Sequence, residues 1–175
     1  TPEQLEVCGS LMSEFPSAYL QSHLSENIDE VRWVSDLFPE ARSYQDIYAR
    51  YGMLGPRSLY GHAIHMDEAD LAQASETGAK FVHCPTSNLF IGSGLFRIKE
   101  TWDANVDVLL GSDVGGGTSL SPFATMKAAY EIAQFSGYSL TPEQAFWLST
   151  TGGAEALSLG DRIGRLEKGY EADFV

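Results

Sequence analysis

The chain has 175 residues and is poor in basic side chains: 11 Lys and Arg stand against 24 Asp and Glu, a formal net charge of −13. That balance argues against a nucleic-acid backbone or an anionic membrane surface as partner, because both require basic patches. Cysteine is scarce too. Cys8 and Cys84 lie far apart with no CxxC, so no disulfide framework is expected and a reducing, cytoplasmic setting is the default. No apolar run approaches the roughly 20 residues of a membrane span. The chain has no GxxxxGK[ST], no GxSxG and no HxE followed by PCxxC. These absences exclude a Walker-type phosphate loop, a nucleophile elbow and a cysteine-ligated zinc deaminase site. The glycines at 115–117 follow an apolar segment but lack dinucleotide spacing. Neither an internal repeat nor a low-complexity linker is present.

What is present is an alternation. AYLQSHL (18–24), SLYGHAI (58–64), KFVHCPT (80–86) and DVLLGSDV (107–114) are short apolar runs that read as strands buried on both faces. Helical patterns separate them. PEQLEVCGSLMSE (2–14) places Leu5, Cys8, Leu11 and Met12 on one face. Asn27 and Glu30 have capping-box spacing before a helix that should turn Ile28, Val31, Val34 and Leu37 inward and stop before Pro39. Further helices are expected over 43–52, 67–78, 96–105 and 121–136, the last with Ser121 as N-cap and Pro122 at its first position. One or two more lie within TPEQAFWLSTTGGAEALSL, and GRLEKGYEADFV reads as the start of extended structure. Strands alternating with helices predict an α/β fold with a parallel sheet.

Each strand ends on a residue able to bind metal or move protons: His23 with Glu26 just beyond, His62 and His65 in GHAIH, His83, and Asp113 in GSD. In parallel barrels and open parallel sheets alike, ligands bind at the C-terminal strand ends. Singly these residues have bland readings. Asp113 before three glycines suits a turn, Cys84 a small buried hydrophobe, His65 a surface helix entry, and His83 a buried hydrogen-bonding position. Together they suggest more, because an apolar strand running into an aspartate calls for a cation or several hydrogen bonds. Imidazole with carboxylate is a ligand set that zinc accepts.

LQSHLSEN, YGHAIHMDEADL, VHCPTSNLFIGSGLF and LLGSDVGGGTSLS, in this order, resemble the later strand ends of the amidohydrolase superfamily. Within its aminohydrolase branch they are most similar to the guanine deaminase family, with HLSENIDEV and LFPEARSYQDIYARYGMLG especially alike. The resemblance implies a distorted (β/α)8 barrel with one zinc, Zn2+, held by an HxH on the first strand, a histidine after the fifth and an aspartate after the eighth. The last two map onto His23 and Asp113. The chain contains no HxH, so it is expected to be the second half of such a barrel, strands five to eight, cut at both ends. Residues 1–160 would be partial barrel and 161–175 the return to a small C-terminal β domain.

The implied chemistry is hydrolytic deamination of guanine to xanthine and ammonia, a step of purine catabolism. Zinc would activate a water that His62 orients or deprotonates. Asp113 would bind both metal and nucleophile, and Glu26 would protonate N3 and carry a proton to the departing ammonia. His23, Glu26 and Asp113 would then border the substrate. His83, Ser87 and Asn88 would shape the strand end by hydrogen bonds, with Ser87 and Asn88 fixing the loop into IGSGLF. The same motifs are compatible with relatives acting on adenosine-type nucleosides, S-adenosylhomocysteine or triazines, and with an inactive fragment. A homodimer is compatible with the family.

Overall fold

A computed structural model describes residues 1–172. The helix starts follow the caps written in the chain. Thr1 and Gln4 form a capping box for α1 (Pro2–Glu14). After β1 (Leu20–Leu24), Asn27 and Glu30 form another for α2 (Ile28–Leu37). Ser43 caps α3 (Tyr44–Arg50), which leads to β2 (Ser58–His62). Asp67 caps α4 (Glu68–Thr77), and Gly78 ends it in the left-handed conformation that glycine adopts without a Cβ penalty. Then come β3 (Lys80–His83), α5 (Pro85–Ile91), α6 (Ile98–Asp103) and β4 (Val108–Leu110). Three helices close the described chain: α7 (Pro122–Phe135), α8 (Pro142–Ser149) and α9 (Thr151–Ala156).

The four strands form one parallel sheet in the order β1-β2-β3-β4. Right-handed crossovers through helices are the standard way to join parallel neighbours, and every link here contains at least one helix. Tyr60, Phe81, Phe96, Ile132, Leu140 and Leu148 are fully buried around this sheet. At its N-terminal end the buried Lys80 pairs with Asp107 at 2.8 Å. Beside it, Trp102, Val108 and Trp147 line a cavity of about 260 Å³ that contains none of the polar strand-end residues.

Several expectations are corrected. The strands are shorter than the apolar runs: β2, β3 and β4 stop early because the chain turns away at their polar ends, while β1 begins two residues late, at Leu20. β1 is an edge strand with Gln21 and His23 exposed, so it is not buried on both faces. On α2 only Val34 is buried, while Ile28 and Leu37 are exposed, since among the described residues no layer covers that side. Leu11 of α1 is exposed as well. The strand expected over 80–86 ends at His83, and Ser87 and Asn88 lie in α5, from which Asn88 O accepts from Gly92 N and Ser93 N at the start of the following loop. Cys84 makes no side-chain cap there, and Pro85 at the first position is the only start signal. Residues 161–172 form turns rather than extended structure, while residues 173–175 of the expected return lie outside the described residues. No helix among the described residues is long and apolar enough to cross a membrane.

Candidate active site

The polar strand ends converge. Register sets His23 opposite Gly61 and Leu24 opposite His62, so regular pleating would send His23 and His62 to opposite faces. Instead their rings stack, with centroids 5.2 Å apart and planes 14° from parallel. The reason lies in the backbone. His62 has φ of 70°, and a left-handed φ re-aims Cβ. Ser25, Ala63 and Asp113 are left-handed as well, at 47°, 45° and 46°. Such residues cost on the order of 1–3 kcal/mol each and persist where surrounding structure holds them. Here Ala63 N donates to Leu24 O, and Ile64 N and His65 N both donate to Ser25 O, lacing the two strands together beyond the regular ladder. The other non-glycine residues with positive φ, Asn105 and Ser158, sit just past α6 and α9, where left-handed residues commonly end helices.

Glu26 stands between β1 and α2. Its N–H donates to Glu30 Oε2 at 2.9 Å, so the helix cap also fixes the backbone of Glu26. Its Oε2 faces His62 Nε2 at 3.6 Å, and Asp113 Oδ2 lies 3.9 Å from the same nitrogen. Asn88 Oδ1 holds the other ring nitrogen, Nδ1, at 2.9 Å. An amide oxygen only accepts, so in this arrangement Nδ1 donates to Asn88 and Nε2 is the nitrogen that faces the two carboxylates.

Asp113 is delivered by a tight loop after β4. Gly117 N donates to Asp113 O at 2.5 Å, and Thr86 Oγ1 donates to Ser112 O at 3.3 Å. The approach is so close that a Cβ on Gly117 would lie 1.8 Å from Ser112 O. This requirement for glycine accounts for part of the GGG run.

The ligand atoms of His23, His62 and Asp113 all lie within 4.8 Å of one another. Two imidazoles and a carboxylate suit zinc, and two carboxylates facing one ring nitrogen beyond hydrogen-bond distance suit a cation. The residues therefore fit a metal. Sequence reasoning assigned His62 to the bound water, and the structure brings its ring into the same cluster as His23 and Asp113.

The supporting residues divide. Asn88 contacts His62, as described. His83 is fully buried, stacks on Phe96 at 4.6 Å, and leaves Nδ1 without a hydrogen-bonding partner among the described residues; Ser87 Oγ is likewise unpartnered. Among the described residues neither atom makes the hydrogen bond expected of it, and His83 meets the strand end through its backbone, where His83 O accepts from Gly111 N. Burial, and secondarily His62, depresses the His83 pKa to about 3, so the ring is neutral. Burial pushes the Cys84 thiol up to about 12, in keeping with a small core residue. His65, expected on the surface, is half-buried and places Nε2 3.2 Å from Ser93 O. Ser93 itself was missed. It donates to Glu26 Oε1 at 2.8 Å across 67 positions of sequence, and no local pattern signals such a pairing.

The profile of the amidohydrolase family matches residues 1–175. The guanine deaminase of Escherichia coli K12 is 42% identical over all of this chain, which covers 40% of that protein. The solved structure titled E. coli guanine deaminase superposes with a TM-score of 0.96 at 41% identity, over 99% of this chain and 41% of that one. A guanine deaminase from C. acetobutylicum, solved with guanine in its active site, gives 0.89 at 30% identity, over 97% and 42%. An adenosine deaminase from Xanthomonas campestris with bound zinc gives 0.89 at 25%, over 99% and 40%. The chain thus spans about two fifths of the length of these relatives.

Proposed function

Since the chain belongs to the amidohydrolase family, we propose that it forms part of a guanine deaminase, converting guanine and water to xanthine and ammonia. The observation that carries this reading is the convergence of His23, Glu26, His62 and Asp113 from three strand ends. The similarity to guanine deaminases over the whole chain supports guanine as the substrate. We assign the four parallel strands to positions five to eight of the barrel, with residues 161–175 leading toward a further domain. The two open sheet edges and the missing HxH support that assignment.

His23 and Asp113 would hold zinc, with His62 beside them. When bound, the metal would lower the pKa of a ligated water toward about 7. The side chains of the chain then manage two protons. As oxygen adds to C2, the first water proton passes through the His62–Glu26 pair to N3, where negative charge develops. The second leaves the new C2 hydroxyl, reaches the amino group through Glu26, and departs with ammonia as the C2–N bond breaks. Glu26 suits this shuttle because it stands before the helix cap, with one carboxylate oxygen toward His62.

The test is ammonia and xanthine release by the full-length protein, with S-adenosylhomocysteine assayed in parallel. Turnover of the nucleoside alone would favour the adenosine-type reading. The 175-residue chain by itself should show no turnover and should lose zinc on dialysis, because its sequence lacks the HxH ligand pair. Stoichiometric zinc after dialysis would contradict that.

A further inference from the structure

We propose that Ser93 is the positioning residue for Glu26, dedicating Oε1 to a fixed hydrogen bond and leaving Oε2 as the oxygen that carries the proton. This inference rests on the deamination reading above. A glutamate side chain has three rotatable bonds and two equivalent oxygens. Left free, it would present either oxygen to the ring nitrogen and spend much of its time away from it. A shuttle that must receive and deliver protons over a fixed short path needs that freedom removed.

The structure removes it from both ends. The backbone of Glu26 is pinned by Glu30 through the cap of α2. At the other end, Ser93 Oγ donates to Oε1 at 2.8 Å, while Oε2 faces His62 Nε2 at 3.6 Å. A hydroxyl has one proton to donate, and here it is committed to Oε1. A proton gained by the carboxylate therefore goes to Oε2, the oxygen nearest the ring.

Ser93 is itself built in. Its N–H donates to Asn88 O at 3.0 Å, and its carbonyl lies 3.2 Å from His65 Nε2. It is buried between Gly92 and Gly94, whose φ values are 79° and 137°. A Cβ on Gly94 would lie 3.0 Å from Ile64 Cγ2 and 3.8 Å from the His65 ring. Gly92 ends α5 in the left-handed conformation, and Gly94 is needed for the close approach that brings the serine in. The choice of partner is informative as well. Ser58 and Thr101 donate their hydroxyls to nearby backbone carbonyls, as small hydroxyls usually do. Ser93, two residues past α5, instead reaches the carboxylate just beyond β1. His65 gains a role from the same arrangement: His62 enters the site, and the histidine three residues later holds the segment that steers Glu26.

The test uses the full-length protein and four forms: wild type, Ser93→Ala, Glu26→Gln and the double variant. Ser93→Ala should lower kcat about ten- to hundred-fold, the range for a hydrogen bond to a charged group. KM should stay close to the wild-type value, because an interaction made only in the transition state lowers kcat and kcat/KM equally. Zinc content should be unchanged, and in the Glu26→Gln background Ser93→Ala should cost nothing further, because residues acting as a unit are not additive. Crystal structures should give one Glu26 rotamer in the wild type and a displaced or divided carboxylate in Ser93→Ala. Wild-type kcat in Ser93→Ala, equal losses in both backgrounds, or an unmoved carboxylate would each overturn the proposal. If the wild type releases no ammonia from guanine, the functional reading falls, and the crystallographic comparison still decides whether Ser93 places Glu26.

Discussion

Ser87 and Asn88 are neighbours on α5, both buried, and the structure predicts opposite outcomes for their removal. Asn88 Oδ1 accepts from His62 Nδ1 at 2.9 Å. Asn88→Ala would leave a buried N–H unpaired, at a cost of roughly 1–3 kcal/mol. Its Nδ2 is unpartnered among the described residues, so losing that atom offsets part of the cost. A net destabilisation of about 1–2 kcal/mol is expected. The effect on turnover should be larger. A neutral imidazole freed from Asn88 samples both tautomers, which alone costs only a few-fold. The ring is also freed to tilt, and misplacement by about 1 Å can cost 10²-fold. Together these predict a fall in kcat of about 10- to 100-fold with zinc retained. Ser87 Oγ has no partner among the described residues, so Ser87→Ala removes an unsatisfied group and should leave stability unchanged or raised by up to about 1 kcal/mol. The assay is guanine turnover by the full-length variants, with urea midpoints and metal analysis on the same samples. Asn88→Ala with wild-type turnover and midpoint, or Ser87→Ala as damaging as Asn88→Ala, would refute the reasoning.

Glu26→Gln in the full-length protein should retain zinc and lose about 10²–10⁴-fold in turnover, the usual contribution of a proton-transfer group, whereas His23→Ala should lose metal; elemental analysis beside the rate assay separates the two. The folded pKa of His83 is depressed to about 3 by burial. Between about 6.5 and that value the unfolded chain binds a proton that the folded chain does not, so stability is lost as pH falls, by about 1.4 kcal/mol per unit. Urea midpoints between pH 7 and pH 4 should show this slope, and His83→Gln should lose about one proton's worth of it. Gly117→Ala forces a Cβ to 1.8 Å from a backbone carbonyl, so the loop carrying Asp113 must shift, and zinc affinity measured by competition with a chelator should fall.

Much of this architecture is local and therefore legible. Capping at Asn27, Asp67 and Thr141, with the glycine after α4, marks helix ends through atoms only a few residues apart, whereas Ser121, expected to cap α7, makes no side-chain cap hydrogen bond and leaves Pro122 as the start signal. The apolar runs mark the four strands, and their polar ends mark His23, His62 and Asp113. Helix α5 escaped because HCPT carries strand-like residues into a start without a side-chain cap. The burial of β1 and α2 was overestimated because an apolar face predicts that something covers it, and among the described residues nothing does.

Apart from α5, the sequence by itself determined the order of elements, the parallel sheet they imply, and which residue types stand at the strand ends. These follow from periodicity and from bonds spanning three or four positions. Only the tertiary structure decided that the His62 ring turns to stack on His23, that Asn88 selects its tautomer, and that Ser93 reaches Glu26 from 67 residues away. Each depends on a left-handed backbone or a close approach between distant segments. Such geometry is set by packing, and packing leaves no spacing in the chain from which it can be read.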